Sequence, residues 1–400
     1  MKILVVHNRY QTRGGEDAVV EAEMELLRDH GHEVQTLLVN NDGIDSLRTK
    51  LGAALSATYS RKGVRAVQDA IRRGRPDIMH VHNFFPQLSP FVFSAAKRLG
   101  VSTVHTLHNF RLLCPSASLY VDGRVDESSL RGSAFGMLRK RAYRGSITGT
   151  SAVAFMVDFH KRRGTWNRDV DAFVCLTEFG KQKFIEGGLP ESRLYTKPNF
   201  LSSGSVDPYD RAKRHGALFV GRLTREKGVD TLLKAWQNID YPLTVAGGGA
   251  VASDSERANV TFLGECSRAE IESLMCSSAF LVMPSEWYEG FPVTLLEAYS
   301  CGLPVVASDI GSLKELVKDG VTGVKFEPGS PAGLQAAVQK LLALDDERIA
   351  AMSRVVSALV RNKYSPESNY SQLMAIYAAS LRSTTGQTHE AMAPTQTPHA

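Results

Sequence analysis

Glu289 and Glu297 stand eight positions apart in the stretch Ser285-Glu286-Trp287-Tyr288-Glu289-Gly290-Phe291-Pro292-Val293-Thr294-Leu295-Leu296-Glu297-Ala298. The apolar run Ala279 to Pro284 ahead of it reads as a buried strand, and the turn that follows carries the first glutamate. Pro292 sets a helix start, and Val293, Leu295, Leu296 and Ala298 continue as a helix, with Glu297 about one turn in. The backbone N–H groups between the two carboxylates have no partner inside that helix. With the positive end of the helix dipole they make an anion site. Two carboxylates around an anion site suit a ligand with a charged middle and hydroxyl-rich ends, such as a nucleotide-sugar. Plain helix capping by glutamate is the competing reading, so the surroundings decide.

Two further turns add chemistry. Gly221-Arg222-Leu223-Thr224-Arg225-Glu226-Lys227-Gly228 links a strand to the helix Val229–Trp236. Arg222 and Lys227 on one such loop suit clamping a diphosphate, the first bidentately and the second as a point charge; alone, the pair reads first as a basic surface turn, and its place at another strand end of the same domain as the glutamate loop reverses that order. Arg13-Gly14-Gly15-Glu16-Asp17 follows the first strand, and its glycines let backbone approach a ligand at the next helix N-terminus. It lacks the Gly-x-Gly-x-x-Gly and the Lys-Ser/Thr patterns, which disfavours a plain dinucleotide or ATP site.

The elements that must hold these turns alternate as strand and helix. Strand-like runs are Lys2–His7, Glu33–Val39, Asp77–His82, Ser102–His108 and Ala172–Thr177, then Ala217–Val220, Leu243–Ala246, Val260–Leu263, Ala279–Met283 and Val305–Ser308. Amphipathic segments such as Asp17–His30 separate them. The expected fold class is α/β, two Rossmann-like doubly wound domains facing a cleft. The expected domains are 1–200, 201–363, a helix over 364–382 packing back on the first domain, and a disordered tail over 383–400. Phe200–His215 reads as the linker. Ligands in such sheets bind beyond the carboxyl ends of the strands, where every turn named above falls.

These pieces together resemble the retaining glycosyltransferases of family 4, with the two-domain GT-B fold. The resemblance rests on Gly14-Gly15, Asp77–Asn83, His105-Thr106-Leu107-His108-Asn109, Gly221-Arg222 with Lys227, Glu289-x7-Glu297, Cys301-Gly302-Leu303-Pro304-Val305-Val306-Ala307, and then Gly311, Glu315, Asp319-Gly320 and Gly323. It covers about residues 1–380 and is looser in the first half. It implies a nucleoside diphosphate sugar as donor substrate, with no cofactor and no metal. Glu297 is then placed to hydrogen-bond the ribose, and Glu289 to contact the donor sugar near its reacting end. The N–H groups from Gly290 through Phe291, Val293 and Thr294 to Leu295, around Pro292, resemble those that hold sugar hydroxyls and phosphate. Arg222 and Lys227 resemble the pair that stabilises the departing diphosphate, and His108 the histidine that reaches the sugar from the opposite wall. Gly15 resembles the close-approach glycine beneath the phosphate, with the base near Leu263 and Gly264. The expected activity is hexose transfer to a hydroxyl of a lipid-linked or polysaccharide acceptor. A nucleotide-sugar epimerase and a non-catalytic glycan-binding protein are the alternatives.

Several patterns pull elsewhere. Asp169-Val170-Asp171 matches an Asp-x-Asp metal motif but precedes a strand. His80, His82, His105 and His108 bear the residue type of a metal site, yet strand-end histidines are commonly hydrogen-bonded fixtures. Gly247-Gly248-Gly249 reads as a turn rather than a phosphate loop. Five scattered cysteines argue against a disulfide framework and for a reducing compartment. Cys114 belongs to a motif whose further cysteines do not follow nearby. The start of the chain turns polar too soon for a secretion signal, so a cytoplasmic protein is expected. Residues 1–200 carry 29 Lys and Arg against 20 Asp and Glu, and nine of those bases lie in 131–168 beside Asp158 alone. That stretch is either a solvated face or a contact for an anionic membrane or acceptor. The flanked segment Ala152–Phe159 reads as core before interface. No nucleic-acid partner is expected.

Overall fold

The computed structural model describes residues 1–9, 14–40, 56–201, 213–249 and 258–391. Arg13, positions 202–212 of the expected linker and the chain end from 392 lie outside the described residues. The strands, in chain order, are β1 (Lys2–Asn8), β2 (Glu33–Val39), β3 (Ile78–Asn83), β4 (Ser102–Leu107), the short hairpin β5 (Tyr120–Val121) and β6 (Arg124–Val125), β7 (Ala172–Cys175) and β8 (Leu194–Thr196). The second half holds β9 (Ala217–Val220), β10 (Leu243–Ala246), β11 (Val260–Gly264), β12 (Phe280–Met283), β13 (Val305–Ser308) and β14 (Gly323–Phe326).

Two parallel sheets result, ordered β2-β1-β3-β4-β7-β8 and β11-β10-β9-β12-β13-β14. Along β1, Ile3 and Val5 enter one buried cluster while Leu4 and Val6 enter another. That is the two-faced burial a parallel sheet between helix layers requires. Strand order reverses between β1 and β3 in the first sheet and between β9 and β12 in the second. These switch points open a crevice at the strand carboxyl ends. The expected two doubly wound α/β domains are therefore present. The edge strands β8 and β14 were not expected. Leu194–Thr196 gives too brief an apolar pattern to stand out, and Gly323–Phe326 is broken by Gly323 and Lys325.

The last helix, Pro366–Ala391, runs past the Ser383 boundary expected from composition. It crosses back to the first sheet, where Leu373, Ile376 and Tyr377 join the cluster of Ile3, Val5 and Val104. A helix whose first turns are locked by packing propagates cheaply into polar sequence. In the helix Ile147–Arg163, Val153, Ala154, Met156 and Val157 are buried, while Phe155 is exposed. The segment Ala152–Phe159 is thus divided between core and surface. No described helix is long and apolar enough to cross a membrane.

Candidate active site

Close backbone contacts bring the strand-end loops of the second domain together. Gly221 N donates to Ala246 O (3.0 Å), Leu223 N to Gly248 O (2.8 Å) and Gly247 N to Gly264 O (2.7 Å). Gly247 has φ +146°, and a Cβ there would lie 1.9 Å from Gly221 O. The triple glycine therefore serves loop packing, as its reading as a turn expects. Gly228 (φ +72°) has the same requirement, since a Cβ would lie 1.8 Å from Pro284 O. Its loop is tied to the glutamate loop by Glu286 N donating to Glu226 O (2.9 Å) and Thr231 Oγ1 to Glu286 Oε1 (2.6 Å).

This scaffold holds Glu289 at the carboxyl end of β12. The residue is buried, and its Oε1 accepts from Lys227 Nζ (2.7 Å), Ser285 Oγ (2.7 Å) and Trp287 Nε1 (2.9 Å). Burial alone would push the carboxyl up. The Lys227 ammonium and the donated hydrogen bonds outweigh it, so the group sits below the ordinary carboxylate range. Among the described residues, none donates to Oε2. Ser312 Oγ donates to the Glu289 carbonyl (2.8 Å), fixing the backbone too. Pro292 is the N-cap of the helix Val293–Ser300 and offers no side-chain cap. Leu295 N reaches Pro292 O (3.1 Å), while the amides of Gly290, Phe291, Val293 and Thr294 have no partner among the described residues. A carboxylate with one open oxygen thus stands beside a set of open donors at a helix N-terminus.

The first domain supplies the opposite wall. A Cβ on Gly290 would lie 2.7 Å from His108 O, and one on Gly15 would lie 3.8 Å from Val293 Cγ2. A small cavity between the domains is lined by His108, Asn109, Thr177, Glu289 and Gly290, among others. His108 Nε2 lies 3.1 Å from His82 Nδ1. Burial, with His82 and His7 adding, holds His108 well below the ordinary imidazole value, so it is neutral at neutral pH. Asn199 Nδ2 donates to Phe291 O (3.4 Å) across the same boundary.

The remaining expected site residues are more dispersed. Arg222 is largely exposed and lies 3.6 Å from Glu226, so the loop carries both cations but only Lys227 meets Glu289. Glu297 is on the helix as expected, at its fifth residue. Burial raises its carboxyl above the ordinary range, with Arg268 opposing and Glu272 adding. Gly264 ends β11 in a left-handed conformation (φ +71°), next to the exposed Leu263.

The competing patterns also find places. Asp169 pairs with Arg163 Nη1 (2.8 Å) and Ser94 Oγ, and Asp171 with Lys97 Nζ (2.7 Å) and Thr103 N (2.9 Å). This Asp-x-Asp thus braces the base of β4 and β7. All five cysteines are free, and Cys114 is buried with its Sγ 3.2 Å from Ser116 Oγ. Glu23, His80 and His82 are buried with ligand-type atoms within 4.8 Å of one another. Motif spacing marks neither Glu23 nor Lys197, whose side chains form a buried ion pair at 2.8 Å. One signal does exist. Glu23 falls on the apolar stripe of Val19, Val20, Met24 and Leu27, where a carboxylate needs a reason. Two interdomain contacts were likewise unmarked: Tyr288 Oη donates to Glu127 Oε1 (2.8 Å), and Glu315 accepts from Glu178 N and Phe179 N (3.2 and 2.8 Å).

Residues 210–354 match the family model of glycosyl transferases group 1, and residues 14–199 match that of a glycosyl transferase 4-like domain. An uncharacterized glycosyltransferase of Methanocaldococcus jannaschii is 32% identical over 179 residues, 43% of this chain and 50% of that protein. The phosphatidyl-myo-inositol mannosyltransferase of Mycolicibacterium smegmatis is 26% identical over 392 residues, 92% of this chain and 91% of that protein. The crystal structure of Anabaena HepE in complex with UDP-glucose aligns with a TM-score of 0.64 at 17% identity, covering 94% of this chain and 100% of that chain. The shared architecture is the GT-B fold. The chain spans about half the length of the first of these relatives (50%).

Proposed function

We propose that this chain, which belongs to the group 1 glycosyltransferases, moves a hexose from a nucleoside diphosphate sugar to a hydroxyl of a lipid-linked or polysaccharide acceptor, with retention of anomeric configuration and without a metal. The observation that carries this reading is the buried Glu289 carboxylate, held through one oxygen by Lys227, Ser285 and Trp287 beside the open amides of Gly290 to Thr294. As the glycosidic bond breaks, positive charge grows at the anomeric carbon and negative charge on the departing diphosphate. The fixed carboxylate stabilises the first. The amides, Lys227 and Arg222 stabilise the second, with no dipole left to reorganise. Glu297 receives the ribose hydroxyls, Gly15 lets backbone approach the phosphates, and His108 meets a sugar hydroxyl from the first domain. The structural use of Asp169 and Asp171 supports metal independence. The relative that carries mannosyltransferase in its name and the similar structure that holds UDP-glucose support the donor class.

For the acceptor side, Phe135, Ile147 and Phe155 are exposed within the basic stretch 131–168. Exposed apolar groups in a stretch rich in arginine and lysine suit the surface of an anionic membrane. We infer a cytoplasmic protein in peripheral contact with that surface, serving cell-surface glycan synthesis.

Thermal shift with the common nucleotide-sugars identifies the donor, because a ligand bound to the fold raises apparent stability by mass action. Incubating that donor with the chain then separates the classes. Transfer to an added acceptor, and slow hydrolysis without one, are expected. Epimerised nucleotide-sugar would replace a transferase with an epimerase, and no stabilisation by any donor would leave a glycan-binding protein.

A further inference from the structure

We propose that Glu23, Lys197 and His82 form a buried positioning relay that fixes the tautomer of His108, so that its Nδ1 faces the donor as a hydrogen-bond acceptor. The proposal rests on the reading above that His108 meets the donor sugar. Lys197 Nζ donates to Glu23 Oε2 (2.8 Å) and to Asn369 Oδ1 (3.1 Å), and Asn369 is itself anchored on Pro198 O (2.7 Å). Glu23 Oε1 lies 3.3 Å from His82 Nε2, a charge-pair contact outside hydrogen-bond geometry, and both atoms are buried without a hydrogen-bond partner among the described residues. His82 Nδ1 in turn lies 3.1 Å from His108 Nε2. Carboxylate, imidazole and imidazole thus follow one another from the buried face of the helix Gly15–Asp29 to the wall of the cleft.

The polarity of this line follows from valence. Glu23 opposes burial by pairing with the Lys197 ammonium and then with the His80 and His82 rings, which keep it well below the usual carboxylate value. An ionised carboxylate only accepts. We assign the His82 ring proton to Nε2, the nitrogen that faces the Glu23 carboxylate, which leaves Nδ1 bare. Two ring nitrogens 3.1 Å apart share one proton, so that proton belongs to His108 Nε2. A neutral His108 then presents a bare Nδ1, which takes a hydrogen bond from a sugar hydroxyl and repels a phosphate oxygen. The hydrogen bond at one ring nitrogen decides what the other can do.

The remaining neighbours fit this assignment. His80 is held by Thr106 Oγ1 (2.7 Å) and Tyr377 OH (2.8 Å), its Nδ1 also lying 3.2 Å from Glu23 Oε1, and His105 Nδ1 is held by Val81 O (2.8 Å). His7 pairs with Asp17 (2.8 Å) and meets the His82 ring edge-on. Glu23, His80 and His82 are also near enough to share a cation. The Lys197 ammonium on the same carboxylate makes that unfavourable, since it already supplies the positive charge.

The test uses full-length protein labelled with nitrogen-15 in histidine. Two-bond proton–nitrogen spectra report the tautomer of each ring, with His108 assigned by its loss in His108→Gln. The expected His108 ring is neutral and protonated at Nε2. An Nδ1-protonated or doubly protonated ring would overturn the relay. A stoichiometric metal in the purified protein, lost in His80→Ala, would overturn it as well. His82→Asn keeps an acceptor near the Nδ1 position, whereas His82→Gln moves it toward Nε2. The Asn variant should retain the His108 signature and most of the turnover. The Gln variant should lose the signature and lower kcat about tenfold, with donor affinity within a few-fold. Glu23→Gln combined with Lys197→Met removes both buried charges together and should behave like His82→Gln. Wild-type kcat and an unchanged tautomer in both would sink the relay. Failure of the wild-type chain to bind any nucleotide-sugar would instead sink the donor-site reading, a result the spectra do not depend on.

Discussion

Glu289 shows how far residue types alone carry an account of chemistry. Its distance from Glu297 and the helix start after Pro292 are legible in the sequence, and so is the set of open amides. Its ion pair with Lys227 is not, because the partner lies 62 positions away and comes near only when the loops after β9 and β12 meet. Lys197 is harder still, since it sits in no motif and its partner Glu23 is read first as part of an apolar stripe. These buried groups set a pH dependence of stability. His105 and His160 are pushed down to about 4 by burial, and His80 and His108 also lie well below 6.5. Unfolding lets each regain its ordinary value and take up a proton, so stability is full above about 6.5 and falls as the pH drops toward the folded values. Glu289 and Glu23 lie below 4.5 when folded, so their contribution is present above that value and is lost as the pH falls through the folded ones. Both effects have the same sign. A Tm that declines steadily from pH 7 to pH 5 is expected, and a flat profile over that range would contradict the buried neutral histidines.

At the scale of elements, the sequence reveals the central strands clearly and the edges poorly. β1, β9 and β12 are apolar runs bounded by turns, and the loops after them carry Gly15, Lys227 and Glu289. β8 is only 3 residues long, and β14, although as long as β9 and β12, opens on Gly323 and is interrupted by Lys325. Glycines in the turns are readable as punctuation, but which of them are indispensable is a matter of tertiary contact. Gly247 and Gly228 are so placed, while Gly264 has nothing within 4 Å of its missing Cβ and is constrained by its φ alone. Gly247→Ala should therefore cost about 1–3 kcal/mol from backbone strain, and more from displacing Gly221 O, the start of the cation loop. Urea unfolding checks the first effect. Donor affinity checks the second, and it should weaken in step; wild-type values for both would show that the loops do not need the close approach.

The whole molecule is two sheets whose carboxyl ends face one another, joined by contacts that no motif announces. Tyr288 to Glu127, Glu315 to the amides of Glu178 and Phe179, and Gly290 against His108 O all cross from one domain to the other. The two-domain class was legible because strand and helix alternate twice. The return of the last helix to the first sheet leaves a weaker trace, the spacing of Leu373, Ile376 and Tyr377. That helix completes the cluster containing Ile3, Val5 and Val104, and it supplies Tyr377 to His80 and Asn369 to Lys197. A chain ending at residue 363 should expose this apolar face and leave Lys197 and His80 each short of a partner. We expect it to be insoluble or to lose cooperative unfolding, and a soluble product with the full-length Tm would refute the packing role.

The central claim is that Glu289 acts on a nucleotide-sugar in the cleft, and parallel determination of donor affinity and transfer rate for the wild-type chain and Glu289→Gln tests it most directly. The substitution keeps the shape and removes the negative charge that would meet the developing cation. Donor Kd is predicted to stay within a few-fold while the transfer rate falls by about 10²-fold or more, as for other fixed electrostatic groups. Transfer at the wild-type rate by Glu289→Gln, with the donor still bound, would contradict it.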